Sequence, residues 1–436
     1  MFQGGRDADV KNHADFSFDP AKLDFVLLTH AHIDHSGLLP RLCAQGFRGK
    51  IHMTAATADL LEVMLLDSAH IQEKEMEWRE RARKSGASLR NDFTAPLYSV
   101  TQAQACLQQL RTVDYDSEFR PKAGVCCRLR DAGHILGAAI IEVWIDECGR
   151  RTKMVFSGDI GRSGHPIVRD VTPVDDADIL LVESTYGDRR HKNLADTMAE
   201  LEVALHETLE RKKGNVIVPA FAVGRTQDLL YLLSDLYRQK RLPPLYIYVD
   251  SPMALKATEI TLKHAELLDG ETRAMFNWLH ANRARPQINF IHDVEESMAL
   301  ANIKSGAVII SSSGMCTGGR VKHHLANNLG RKECAVVFTG FQAMGTLGRR
   351  IVDGAKSVRI FGEEIPVRAR VHTIGGLSAH ADQAELLDWL RRLRRPPKRT
   401  FVVHGEPVAA AAFSGAVRSA LAWDVTIAQP HMTVDI

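Results

Sequence analysis

The eleven residues LLTHAHIDHSG (27–37) constrain the fold most, because they set three histidines and an aspartate directly behind an apolar run. The run DFVLLTH reads as a buried strand. A strand entering a tight turn can point His30 and His32 the same way, since alternate residues share a face. Asp34 and His35 then fall in the following loop and can face a second point. Zinc takes imidazole nitrogen and carboxylate oxygen, about four donors at about 2.0–2.2 Å. The pattern His-x-His-x-Asp-His therefore reads as half of a two-metal site. Turn or surface histidines are the alternative if nothing else in the chain completes it.

The missing ligands should stand at strand ends or in loops. His134 in DAGHILG and Asp159 in FSGD both close apparent strands, and a carboxylate such as Asp159 can bridge two metals about 3.5–4 Å apart. The rest of the composition is that of a globular protein: 436 residues, 45 % apolar and 25 % charged. No apolar run approaches the roughly 20 residues of a membrane span. The first residues, MFQGGRDADVKNHADF, lack the basic and apolar regions of a signal peptide. Seven cysteines, odd in number and without a CxxC pair, fit free thiols in a reducing, cytoplasmic compartment. A net charge of +2 argues for no partner.

Along the chain, TAATADLLEVMLLDSAHIQEKEMEWRERARKSG predicts a helix that stops at Gly86. VCCRLRDAGH, AAIIEVWID, TKMVFSGD and ADILLVESTYGD predict strands, with a turn at Gly149 between the second and third. The middle alternates helix and strand, which argues for a parallel α/β unit. DTMAELEVALHETLERKKG predicts a helix capped by Asp196, then come NVIVPAFAVG, RTQDLLYLLSDLYRQK and LYIYVDSPMA, with GAVIISSSGM and CAVVFTGF extending the sheet. After about residue 366 a strand–helix–strand pattern returns.

THAHIDHSG, DAGHILG and FSGDIGR, in this order, resemble the metal motifs of the metallo-β-lactamase superfamily. VESTYGDR with Glu183, GLSAHAD with His380 and VVHGE with His404 resemble motifs A, B and C of its β-CASP nuclease group. The resemblance covers nearly the whole chain. It is nearest to stand-alone bacterial and archaeal RNA-processing nucleases, related to the pre-mRNA 3′-end cleavage endonuclease and more distantly to RNase J. The implied fold is α/β: an αββα metallo-β-lactamase sandwich, formed by 1–188 and 366–436, with an α/β β-CASP domain inserted at 189–365. The resemblance implies two Zn²⁺ ions, the first held by His30, His32 and His134, the second by Asp34, His35 and His404, with Asp159 bridging. Asp34, Glu183 and His380 are the implied catalytic residues. Zinc would lower the pKa of a shared water, His380 would give a proton to the leaving oxygen, and Glu183 would orient His380. Histidine at 404 follows the RNA-acting branch, whereas the DNA-repair branch carries an apolar residue there.

SSSGMCTGGRVKHHL (311–325) is a glycine- and hydroxyl-rich loop opening a helix, a junction that offers N–H groups to phosphate. It resembles the RNA-facing loop of the β-CASP domain, which makes Ser313, Gly314, Thr317, Gly318 and Arg320 candidate RNA contacts, with a bidentate contact from Arg320. Arg225 in FAVGRTQ, Arg349 in GTLGRR and Ser378 in GLSAHAD join them. The arginines of LRRLRRPPKR are expected in the last turn of a helix stopped by Pro396, and His323 and His324 on a helix surface.

The expected partner is single-stranded RNA, with no membrane, and a homodimer is compatible with the family. The family normally places two strands and an Asp-Cys-Gly motif before the phrase MFQGG, so the true start is expected upstream, the other readings being a fragment or a lost first hairpin. That loss would expose a sheet edge and weaken support of the metal ligands. Hydrolysis by internal or 5′-end attack is expected; the rivals are an inactive RNA-binding scaffold, a DNA-directed nuclease, and a small-molecule thioester or lactam hydrolase, which would lack motifs B and C.

Overall fold

The computed structural model describes residues 1–2, 8–84, 95–282, 285–430 and 432–435. It divides into two compact units: Met1–Ser163 with Asp170–Arg190 and His380–Ile436, and Gly164–Arg169 with His191–Ala379. Both mix helices and sheets, the α/β class expected for the sandwich and its inserted domain.

In the first unit a seven-stranded sheet runs in the order Val425–Ile427, Arg399–Val403, Ile179–Glu183, Arg150–Phe156, Ala139–Glu147, Val125–Asp131, Glu118–Lys122. The first four strands are parallel to one another and the rest antiparallel. The hairpin between Ala139–Glu147 and Arg150–Phe156 turns at Cys148 and Gly149, both with positive φ, as a two-residue connection of right-twisted strands requires. A second sheet pairs Phe25–Leu27, Lys50–Met53 and Leu110–Thr112 in parallel. Leu27, Phe119 and Phe156 pack on a buried cluster of Cys127, Leu129, Ala139, Ile141 and Val143. The DFVLLTH strand is shorter and less buried than expected: three half-buried residues. The helix Ala55–Lys84 follows as read, while its expected end at Gly86 lies outside the described residues.

The LRRLRRPPKR arginines correct one reading. Their helix, Gln383–Leu390, ends before most of them. Arg394 pairs with Asp175, Arg395 with Asp176 and Asp178, and Lys398 with Asp178. An acidic stretch of the same unit, not a helix dipole, answers this charge.

The second unit carries six parallel strands in the order Gln287–Phe290, Tyr246–Asp250, Ala307–Ser311, Val216–Pro219, Ala335–Phe338, Arg370–Thr373. Three of its inner strands, Ala307–Ser311, Val216–Pro219 and Ala335–Phe338, are buried on both faces, because helices cover both. Val216 and Val218 enter one core with Leu229, Leu233 and Leu236, whereas Ile217 enters the other with Val321, Leu325 and Phe338. The helix Leu194–Leu205 is capped by Asn193, whose side chain accepts from the N–H of Asp196. Asp196 thus stands in the first turn, and not at the cap where the sequence suggested it. Among the described residues no helix is long and apolar enough to cross a membrane.

Candidate metal centre

His134, Asp159, Glu183 and His404 stand at the carboxyl ends of Val125–Asp131, Arg150–Phe156, Ile179–Glu183 and Arg399–Val403. These strands point the same way, so the four side chains share one edge of the first unit's large sheet. His30 and His32 follow Phe25–Leu27, and Asp34 and His35 lie on one turn of helix, Ile33–Ser36, where a loop was expected. His380 precedes the helix Gln383–Leu390.

Two glycines let these segments meet. A Cβ on Gly161 would fall 1.6 Å from the carbonyl oxygen of Gly133, so the segment after Asp159 lies backbone against backbone on the DAGH turn. Gly158 has φ +56°, and its Cβ would stand 2.9 Å from that of Thr29. The N–H of Gly161 donates to Ala132 O at 2.8 Å, and that of Ala381 to Ile160 O at 2.7 Å.

Two donor sets result. In the first, His30 Nε2 lies 3.1 Å from His32 Nδ1, which lies 3.2 Å from His134 Nε2. In the second, His404 Nε2 lies 3.2 Å from His35 Nε2 and 3.4 Å from Asp34 Oδ2. Asp159 Oδ2 stands between them, 3.3 Å from His30 Nε2 and 3.3 Å from His35 Nε2. Donors about 2.1 Å from a tetrahedral ion sit about 3.4 Å from one another, so these separations fit a ligand sphere. In the first set His30 and His134 are buried and His32 half-buried, while Asp34 and His404 are open to solvent.

The electrostatics of the first set agree, whereas in the second burial would lower His404 but the Asp34 and Asp159 carboxylates push it up to about 9. Burial holds the His30, His32 and His134 imidazoles below their ordinary range, His32 at about 3, so they are neutral at pH 7. Burial alone would raise the Asp159 carboxyl, but the His30 and His380 rings hold it well below the usual carboxylate range. Neutral imidazoles around an ionised carboxylate are the protonation states a metal requires. Among the described residues, Asp159 Oδ1 is buried and finds no hydrogen-bond donor. Imidazole-rich donors of this kind suit zinc better than magnesium or calcium.

A second tier, less visible in the sequence, aims the rings. Thr29 Oγ1 lies 3.1 Å from His30 Nδ1 and 3.4 Å from His35 Nδ1, touching one ring of each set. Thr185 Oγ1 lies 3.2 Å from His404 Nδ1. Such contacts turn the remaining nitrogen inward. The only signal for Thr29 was its place at the end of an apolar run. His404 has φ 50°, a left-handed conformation uncommon outside glycine.

Glu183 is fully buried; its carboxylate accepts from the N–H of Ile160 at 2.6 Å and of Thr185 at 3.3 Å. His380 Nδ1 meets it at 3.2 Å, with Nε2 3.9 Å from Asp159 Oδ2. Burial would lower the His380 pKa, but the Glu183 and Asp159 carboxylates outweigh it and raise it.

The candidate RNA contacts belong to the second unit, and most are tied down there. Arg320 Nη1 is 2.7 Å from Asp250 Oδ1, so a free bidentate fork is not what it presents. The same buried carboxylate takes His324 Nε2 at 2.6 Å, which corrects the surface reading of His324; His323 packs on the Phe361 ring. Arg225 bonds Thr339 O and pairs with Asp228, and Arg349 pairs with Asp353. Ser313 Oγ accepts the N–H of Thr317 at 3.1 Å and of Gly318 at 3.4 Å, inside its own loop. Gly314 is buried in that loop, and Ser378 is half-buried.

If the donor sets take zinc, adding zinc to chelated protein should raise its melting temperature. At a hundredfold excess over Kd the gain is about 2.7 kcal/mol, readable in a thermal scan. A flat response would refute the donor-set reading.

Three family models match the chain: a beta-lactamase superfamily domain over residues 12–214, a Beta-Casp domain over 226–351, and a Zn-dependent metallo-hydrolase RNA specificity domain over 364–428. The chain is similar to a ribonuclease of Thermus thermophilus, 37 % identical over 93 % of this chain and 86 % of the relative. An RNase J-like protein of Methanocaldococcus jannaschii is 30 % identical over 89 % of this chain and 83 % of its own length. Transcription termination factor FttA of the same archaeon is 30 % identical over 92 % of this chain, which spans 61 % of that factor.

Proposed function

This chain belongs to the β-CASP group of the metallo-β-lactamase superfamily, and from that premise we propose that it is a ribonuclease working with two zinc ions on single-stranded RNA. The observation that carries the reading is Asp159 Oδ2, 3.3 Å from a nitrogen of each donor set. His30, His32 and His134 would hold one ion, Asp34, His35 and His404 the other, and Asp159 both. Bound zinc supplies Lewis acidity, which lowers the pKa of a water and offsets charge on the phosphate oxygens.

The chain's own side chains do the rest. The open set, with Asp34 and His404 in solvent, is the side from which a phosphodiester can approach. Glu183, fixed by two backbone N–H groups, holds His380 by Nδ1 and favours its protonated form. His380 Nε2, aimed toward Asp159, then carries the proton for the leaving oxygen. The domain boundaries 188/189 and 365/366 and a homodimer remain part of the proposal, as does a cytoplasmic setting, which the free cysteines support.

The test uses the purified chain and RNA labelled at either end, with and without chelator. Cleavage should stop with chelator and return with added zinc, and product lengths separate internal from 5′-end attack. Cleavage indifferent to chelation would overturn the two-zinc reading.

A further inference from the structure

In the second unit three neighbouring strands, Ala307–Ser311, Val216–Pro219 and Ala335–Phe338, end in loops 312–320, 220–225 and 339–346. Carboxyl ends of parallel strands are where open α/β sheets take ligands. These loops are laced into one rim. Arg225 Nη1 reaches Thr339 O, Gln342 Nε2 donates to Gly314 O at 3.0 Å, and the N–H of Gly348 donates to Met315 O at 3.2 Å. Gly314 lies so close to the second of these loops that a Cβ there would stand 3.1 Å from Phe221 N.

On this rim Phe221 is 44 % exposed and Phe341 47 %, with Met344 of the same loop at 82 %. Burying a phenylalanine is favourable, and these two forgo much of that gain. Phe361, by contrast, is covered by Lys322 and His323. Among the described residues no ring or cation covers Phe221 or Phe341. The segments 220–225, 312–320 and 339–350 also hold four arginines, Arg225, Arg320, Arg349 and Arg350, and no aspartate or glutamate. The carboxylates that pair with three of them come from just outside these segments: buried Asp228 and Asp250 for Arg225 and Arg320, and exposed Asp353 for Arg349.

We propose that Phe221 and Phe341 form a base-stacking platform for single-stranded RNA on this rim. The proposal rests on the ribonuclease reading. An aromatic face accepts any base, and the four arginines outnumber the three carboxylates that pair with them, an excess that suits a polyanion, so the platform reads strandedness and not sequence. A second copy of the chain, with 55 basic against 53 acidic side chains, brings no complementary charge to such a rim.

The experiment compares the full zinc-loaded chain with Phe221→Ala, Phe341→Ala, the double variant and Phe341→Trp. KM for single-stranded RNA should rise about 5- to 100-fold per alanine. Values of kcat, and hydrolysis of bis(p-nitrophenyl) phosphate, should stay parental, and Phe341→Trp should restore KM. In chelated protein, which does not cut, an oligoribonucleotide carrying 2-aminopurine should be quenched by the parent and not by the double variant. Unchanged KM with unchanged quenching in the double variant overturns the platform. So does parental RNA binding accompanied by an altered mass on size exclusion, which would assign the rim to a second copy. If the parent cuts neither RNA nor the small diester, the ribonuclease reading fails by itself, and the quenching still decides the platform.

Discussion

Asp159→Ala should reduce RNA cleavage by at least about a thousandfold, equivalent to about 4 kcal/mol of transition-state stabilisation. The reason is its position: one carboxylate oxygen serves both donor sets, so the substitution strips each of a ligand and removes the negative charge amid five histidines. Zinc content by atomic absorption should fall with the activity. Parental cleavage by this variant would sink the bridging assignment, whatever the metal content.

If, as proposed, His380 donates the proton and serves neither donor set, His380→Ala should lower kcat by about 10²- to 10⁴-fold while leaving the zinc content parental. The combination matters, since Asp159, Glu183 and His380 could themselves hold an ion. Loss of zinc in His380→Ala would make it a ligand and refute the proton-donor role. Glu183→Gln, which keeps the shape but drops the charge favouring the imidazolium, should fall in the same direction by less.

The clustering of the candidate donors could be anticipated from sequence because each sits in a short segment whose residue types serve little else. The structure brings His30, His32, His134 and Asp159 into one group and Asp34, His35 and His404 into another, from segments up to 374 positions apart. What could not be read is whatever depends on a distant partner. Arg320 looked like a free phosphate contact, but its counter-charge, Asp250, lies 70 residues upstream. His324 looked like a surface residue for the same reason. Arg225 spends its guanidinium on a carbonyl 114 residues away. Thr29 carries no motif of its own, and its service to two histidines appears only once they are placed. The cap of Leu194–Leu205 was missed by three positions, since Asn193 and Asp196 are both good caps and bond one another.

The open donor set takes Asp34 and His35 from near the start of the chain and His404 from behind Arg399–Val403, a strand seated between Ile179–Glu183 and Val425–Ile427. A nascent polypeptide that has not yet delivered that strand owns most of the ligands but cannot close the cage. On the proposed reading, cleavage therefore waits on the strand that delivers His404, and a polypeptide still short of it leaves the RNA around it intact.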